Sequence, residues 1–181
     1  QELNCSTLSL DIGVSVPTIK TWLTLVEASG LVFLLMPYHK NFGKRLIKAP
    51  KCYFMDTGLV CYLSGHQVEE HVLQGPMAGA LFETAFVAQF YKRFSALVDP
   101  CSLYYYRSTD GFEVDLLIET GHRIYPVEMK LSSTIDSGKA KSLVKWLQIS
   151  KNKDTKGFII SSSKQMCSIG NNVVNCHYSF V

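Results

Sequence analysis

The chain contains no apolar run near the ~20 residues that a membrane-spanning helix needs. Its longest, Leu31–Met36 and the stretches Leu81–Phe82 and Ala85–Ala88, are far shorter, and no signal peptide is visible. These absences predict a soluble, cytoplasmic protein with no membrane partner. No CxxC pair and no Cys/His cluster at zinc-finger spacing occurs, although six cysteines are scattered along the chain. That excludes a structural zinc motif and predicts reduced thiols. Charge of one sign is also missing: 18 Lys and Arg against 15 Asp and Glu leave a net +3 over 181 residues. So small a balance argues for no class of partner by itself. There is no GxxxxGK[ST] stretch, hence no ATP site within these residues, and neither an internal repeat nor a low-complexity tract. The chain opens on Gln1 rather than Met, inside what reads as a helical pattern, which suggests a piece of a longer protein.

What is present divides into two patterns. In "LSLDIGVSVPTIKTWLTLVEASGLV" a short helical segment breaks at Gly13-Val14. A second helix then follows, with Ser15 as its cap, Pro17 in its first turn, Ile19, Trp22, Leu23 and Val26 at helical spacing, and Gly30 as its stop. Next, "LVFLLMPYHKNFGKRLIKAPKCYFMD" reads as two strands joined by a basic, Gly-containing tip, and Asp56 caps a short helix ending at Gly65. This order predicts a winged helix-turn-helix over 1–65. Lys40, Lys44, Arg45, Lys48 and Lys51 cluster in the wing, with no acid between Glu27 and Asp56. Lys20 is exposed on the second helix by spacing. These six are the candidate DNA-binding residues, suited to phosphates rather than to base edges.

Residues 66–77 are polar and contain a Gly-Pro break, which predicts a linker. From 78 to 181 the pattern reads helix (78–94), three strands (102–107, 112–119, 122–130) with turn signals at Asp110-Gly111 and Gly121, helix (136–150) and strand (156–161). The fold class is therefore α+β, with an αβββαβ order in the second module. Pro126 cannot donate to a sheet ladder, so a bulge is expected just before Glu128. The tail after 161 carries no readable motif.

Three acids stand in apolar settings. Glu83 interrupts the helical run from Leu81 to Phe90, Asp115 sits inside "EVDLLIE", and Glu128 lies between Val127 and Met129. An unpaired buried carboxylate costs several kcal/mol, on the order of what its desolvation demands, so three such acids ask for a shared reason. A divalent cation supplies one. Mg²⁺ (or Mn²⁺) takes oxygen ligands, and Asp115 and Glu128 on adjacent strands are the candidate metal pair. Lys130 shares a strand face with Glu128 and would serve an attacking water or offset phosphate charge, while Glu83 would assist from the helix. Glu83, Asp115, Glu128 and Lys130 thus form the candidate catalytic set for phosphodiester hydrolysis.

Glu83, Asp115 and Glu128-Met129-Lys130, in that order on helix, second strand and third strand, resemble the signature of the PD-(D/E)XK nucleases. That resemblance implies a restriction-endonuclease-like domain over 78–181. The phrases "SVPTIKTWLTLVEASGLVFLL", "KRLIKAPKCYFMDTGL" and "GALFETAFVAQF" also resemble the C-terminal half of a family of prokaryotic AAA-type ATPases. The similarity extends over roughly residues 5–160. It implies a nuclease-like DNA-processing region whose P-loop domain is absent here, with DNA and that missing ATPase domain as partners. The competing expectation is a non-catalytic DNA- or protein-binding module that keeps the nuclease fold. For Glu128 and Lys130 alone, a solvated strand face with a weak ion pair is the simpler reading.

Overall fold

The structure is a computed structural model and describes residues 2–39, 49–66, 68–97, 101–150, 155–170 and 172–181. The chain opens with two helices, α1 (Cys5–Ile12) and α2 (Val16–Ala28). Asn4 caps α1 by accepting from the Ser6 and Thr7 amides, and Ser15 caps α2 by accepting from Thr18. Between them Gly13 takes a φ of 78°, a left-handed turn that a side chain would strain. Strands β1 (Val32–Pro37) and β2 (Lys51–Phe54) then pair antiparallel, Val32 with Phe54 through Leu35 with Lys51. Helix α3 (Thr57–Leu63) follows, its first amides held by the Asp56 carboxylate. The stretch expected as a linker contains a short helix, α4 (Glu69–Gln74).

The second half runs α5 (Ala78–Ser95), β3 (Ser102–Arg107), β4 (Glu113–Thr120), β5 (Arg123–Lys130), α6 (Lys141–Ile149) and β6 (Gly157–Ser161). This is the αβββαβ order that the sequence predicts. Helix α6 starts later than expected, because Asp136 folds residues 136–140 into a turn by accepting from the Lys139 amide. The tail adds β7 (Cys167–Ile169), β8 (Val173–His177) and a terminal 3-10 turn.

All eight described strands join one mixed sheet in the order β2-β1-β3-β4-β5-β6-β8-β7. The predicted wing strands are part of it: β1 pairs parallel with β3 through Met36–Tyr104 and Pro37–Tyr105. "VFLLMP" is apolar at consecutive positions, and the strand is buried or half-buried on both faces from Val32 to Leu35, while Met36 is exposed. One face of the sheet packs Val114, Leu117 and Ile124 against Leu143, Trp146 and Leu147 of α6. The opposite face packs Leu116, Ile118, Val127 and Met129 with Val87 and Ala88 of α5.

Two strand details position the acids. Tyr104 pairs with Leu117 and Tyr106 with Val114, so Asp115 and Leu116 together oppose the single Tyr105, a β-bulge in β4. Val114 and Leu117, three residues apart, accordingly face the same core layer. The bulge expected beside Pro126 is not there. Pro126 stays in register opposite Leu117, one residue before β5 begins to pair with β6 at Val127. At that point β5 has a ladder on one side only, where a missing N–H is tolerated.

Candidate active site

The alternation of β5 sends Val127 and Met129 into the α5-side core and leaves Glu128 and Lys130 to the other side. Glu128 is 3% exposed, and Lys130 reaches it with Nζ 2.6 Å from Oε2. Asp115 lies beyond the last β4–β5 pair, Leu116 with Val127, where the two strands part. Its Oδ2 accepts from the Met129 amide at 2.9 Å and stands 3.7 Å from Lys130 Nζ. The bulge at Asp115-Leu116 is what offsets this carboxylate from the ladder. Asp115, Glu128 and Lys130 thus lie together.

Glu83 projects from α5 into a second, adjoining cluster. Its Oε1 accepts from the Tyr53 hydroxyl at 2.5 Å and from Lys51 Nζ at 3.1 Å. Lys51 Nζ also lies 2.5 Å from Glu113 Oε1 and 5.3 Å from the centre of the Tyr105 ring. Arg107 extends the network to Glu113 (3.5 Å) and Glu2 (3.2 Å). Five carboxylates are held by three cations, an excess of two negative charges when all are ionised.

That excess appears in the proton affinities. Burial, then the adjacent Asp115 charge, pushes the Glu128 carboxyl up to about 8 despite Lys130 beside it. Asp115 is raised too, by burial and then by Glu83, against Lys130 and the Met129 amide. Burial opposes the charged form of Glu83, yet Lys51 and the Tyr53 hydroxyl overcome it and hold the group below its ordinary value. Lys51 is desolvated, but Glu83 and Glu113 keep its ammonium above the usual lysine range. Lys130 is likewise raised by Asp115 and Glu128 against the effect of burial.

Several expectations need correction or fall elsewhere. Lys51, expected on a phosphate-facing wing, is only 4% exposed and committed to two carboxylates, so it is not part of an exposed basic tip. Lys20 is exposed on α2. Lys40, Lys44, Arg45 and Lys48 lie outside the described residues. Among the described residues no group of three or more His, Cys, Asp or Glu is placed to hold a metal ion. Lys51 and Tyr53 were missed as partners of Glu83. The available signal was the spacing in "KCYF", which puts both on one strand face, although nothing in a sequence shows which helix that face meets.

A family model described as a domain of unknown function, DUF4143, matches residues 78–179, more than half of the chain. The chain belongs to the DUF4143 family. That domain is found in AAA-ATPase-associated proteins. A second model, for the domain of unknown function DUF8612, matches residues 1–70. Glu83, Asp115, Glu128 and Lys130 therefore come from the DUF4143 segment, and Lys51 and Tyr53 from the segment before it. The chain is 34% identical over 127 residues to the uncharacterized protein Mb2031c of Mycobacterium bovis and equally to the uncharacterized protein Rv2008c of Mycobacterium tuberculosis. The match takes in 70% of this chain and 28% of each relative, so the chain spans well under half their length. No solved structure matches it. No described helix is long and apolar enough to cross a membrane.

Proposed function

We propose that the DUF4143 segment carries a divalent-cation-dependent phosphodiesterase site of the PD-(D/E)XK type that acts on DNA. The observation behind this reading is the convergence of Asp115 and Glu128 on the Lys130 ammonium, with both carboxyls pulled above their ordinary range. Two crowded, desolvated carboxylates in a network with two excess negative charges suit Mg²⁺ or Mn²⁺, which needs only one or two carboxylates and completes its shell with water and phosphate oxygens. The donor set fits, with Asp115 and Glu128 as the ligands. A bound cation would supply Lewis-acid polarisation of the phosphodiester. Lys130, with about a third of its side chain exposed, is the cation of the pair that can meet a substrate phosphate and offset charge developing on it. Met129, through its amide, orients the Asp115 carboxylate. Glu83 is a positioning group, held by Lys51 and Tyr53 while its charge acts on Asp115.

Around this site, a helix pair followed by a hairpin, with Lys20 exposed on the second helix, supports a winged-helix contact to DNA phosphates. The length of the relatives leaves room for an ATPase domain as a further partner. A second reading has its own support. Lys51 and Lys130 already occupy the carboxylates, so the fold needs no cation to satisfy them, as a non-catalytic binding module would require.

The test is incubation of the chain with supercoiled, linear, single-stranded and branched DNA, with and without Mg²⁺ or Mn²⁺. Cation-dependent cutting that falls by a factor of about 10² or more in Asp115→Asn and Lys130→Ala is the expected result. Tight, salt-sensitive binding without cutting selects the module instead. Neither cutting nor binding would remove DNA from the account.

A further inference from the structure

The acid network is divided unequally between its two lysines. Lys130 is partly open to solvent and holds Asp115 and Glu128, its Asp115 contact a loose 3.7 Å. Lys51 is closed in, and its Nζ lies 3.1 Å from Glu83 Oε1 and 2.5 Å from Glu113 Oε1. Those two oxygens come from α5 and β4, both charges act on the Lys51 ammonium, and the Glu83 charge acts on Asp115 as well. The Tyr105 ring lies beneath Nζ at cation–π range, and the Tyr53 hydroxyl donates to the same Glu83 oxygen. Two carboxylates, an aromatic face and almost complete exclusion of water make a position built for a permanent positive charge.

We infer that Lys51 is a positioning residue that stands in for a second divalent cation, so that the site takes one metal ion, at Asp115 and Glu128, rather than two. A protein ammonium bridging carboxylates from a helix and a strand does the charge-balancing work that a second ion would do in a two-metal centre, without needing to be bound from solution. Because Lys51 opens β2 in the segment before the DUF4143 domain, that segment completes the site and sets its metal count. The inference rests on the cation reading proposed above, and its test separates the two.

The measurement is Mn²⁺ stoichiometry on the full chain by calorimetry and by the electron paramagnetic signal of free Mn²⁺, near neutral pH and under nitrogen. The expected counts are one ion for the unaltered chain, none for Asp115→Asn, one for Lys51→Arg and two for Lys51→Met. In the double variant K51M/D115N the Glu83 and Glu113 carboxylates should still keep one. Lys51→Gln, which retains donors to both carboxylates without the charge, carries the same expectation as Lys51→Met should the latter fail to fold. Two ions in the unaltered chain, one ion surviving in Asp115→Asn, or a folded Lys51→Met or Lys51→Gln that still binds one would overturn the inference. No Mn²⁺ bound by the unaltered chain would instead overturn the cation reading on which it rests.

Discussion

Glu128 is the residue whose ionisation the fold opposes most clearly, since burial and Asp115 outweigh Lys130 and lift its carboxyl from an ordinary value near 4.5 to about 8. Below about pH 4.5 the group is protonated whether the chain is folded or not, and it exacts no penalty. As pH rises from about 4.5 to about 8, the unfolded chain gives up the proton first, so stability falls through that window and levels off above it. Glu128→Gln removes the titration. It should therefore be more stable than the parent at pH 9, by about 5 kcal/mol at most, and nearly equal to it at pH 4. Urea denaturation at the two pH values checks this; equal differences at both would show that Glu128 is not held in its acid form. Four of the site side chains were legible at this scale, because an acid or lysine among apolar neighbours marks itself in a sequence. Lys51 was not, since a lysine next to a basic loop looks the same whether it ends in water or between two carboxylates.

At the scale of single elements, β4 and β6 carry local features that the site and core depend on. The bulge at Asp115-Leu116 lets two successive residues oppose Tyr105, and strict alternation read from "EVDLLIE" gives no hint of it. The sequence instead suggested an irregularity at Pro126, where the ladder turns out to be regular because β5 lacks its second neighbour at that point. At the start of β6, Gly157 lets α6 approach closely: a Cβ there would stand 3.2 Å from the Leu143 Cβ and 3.3 Å from its Cδ1, of which Leu143→Ala removes the second. Gly157→Val should destabilise the chain by about 1–3 kcal/mol through overpacking. Combining it with Leu143→Ala should cost less than the sum of the two single changes, because each relieves the other. Thermal unfolding of the three variants measures this, and strict additivity would mean that the two positions do not meet.

Over the whole molecule, the first 65 residues and the last hundred or so are joined by more than the chain between them. β1 lies between β2 and β3, the Tyr38 amide donates to the Tyr105 carbonyl at 2.8 Å, and the Tyr105 hydroxyl donates to the Ala49 carbonyl. Phe33 stacks on Tyr91 of α5 with ring centres 4.3 Å apart, and Lys51 enters the acid cluster. Such shared burial predicts one cooperative unfolding transition. Leu35→Asp, which places a charge at a position 2% exposed, should accordingly lower the midpoint of the single transition seen by both tyrosine fluorescence and far-UV circular dichroism. Two separated transitions would show that the segments fold independently. The polar stretch at 66–77 predicted a linker from composition alone, and composition does not report whether the strands on either side pair.

The sequence by itself determined the αβββαβ order, the caps at Ser15 and Asp56, and the placing of Glu128 and Lys130 on one face of a strand. Each depends on spacing, side-chain reach or backbone freedom within a few residues, and local physics is written locally. Only the tertiary structure decided that "VFLLMP" is an interior strand, that a bulge offsets Asp115, and that Lys51 lies between Glu83 and Glu113. Those facts depend on which distant surfaces meet and on the water excluded when they do, and desolvation is a property of the assembled neighbourhood rather than of any stretch of chain.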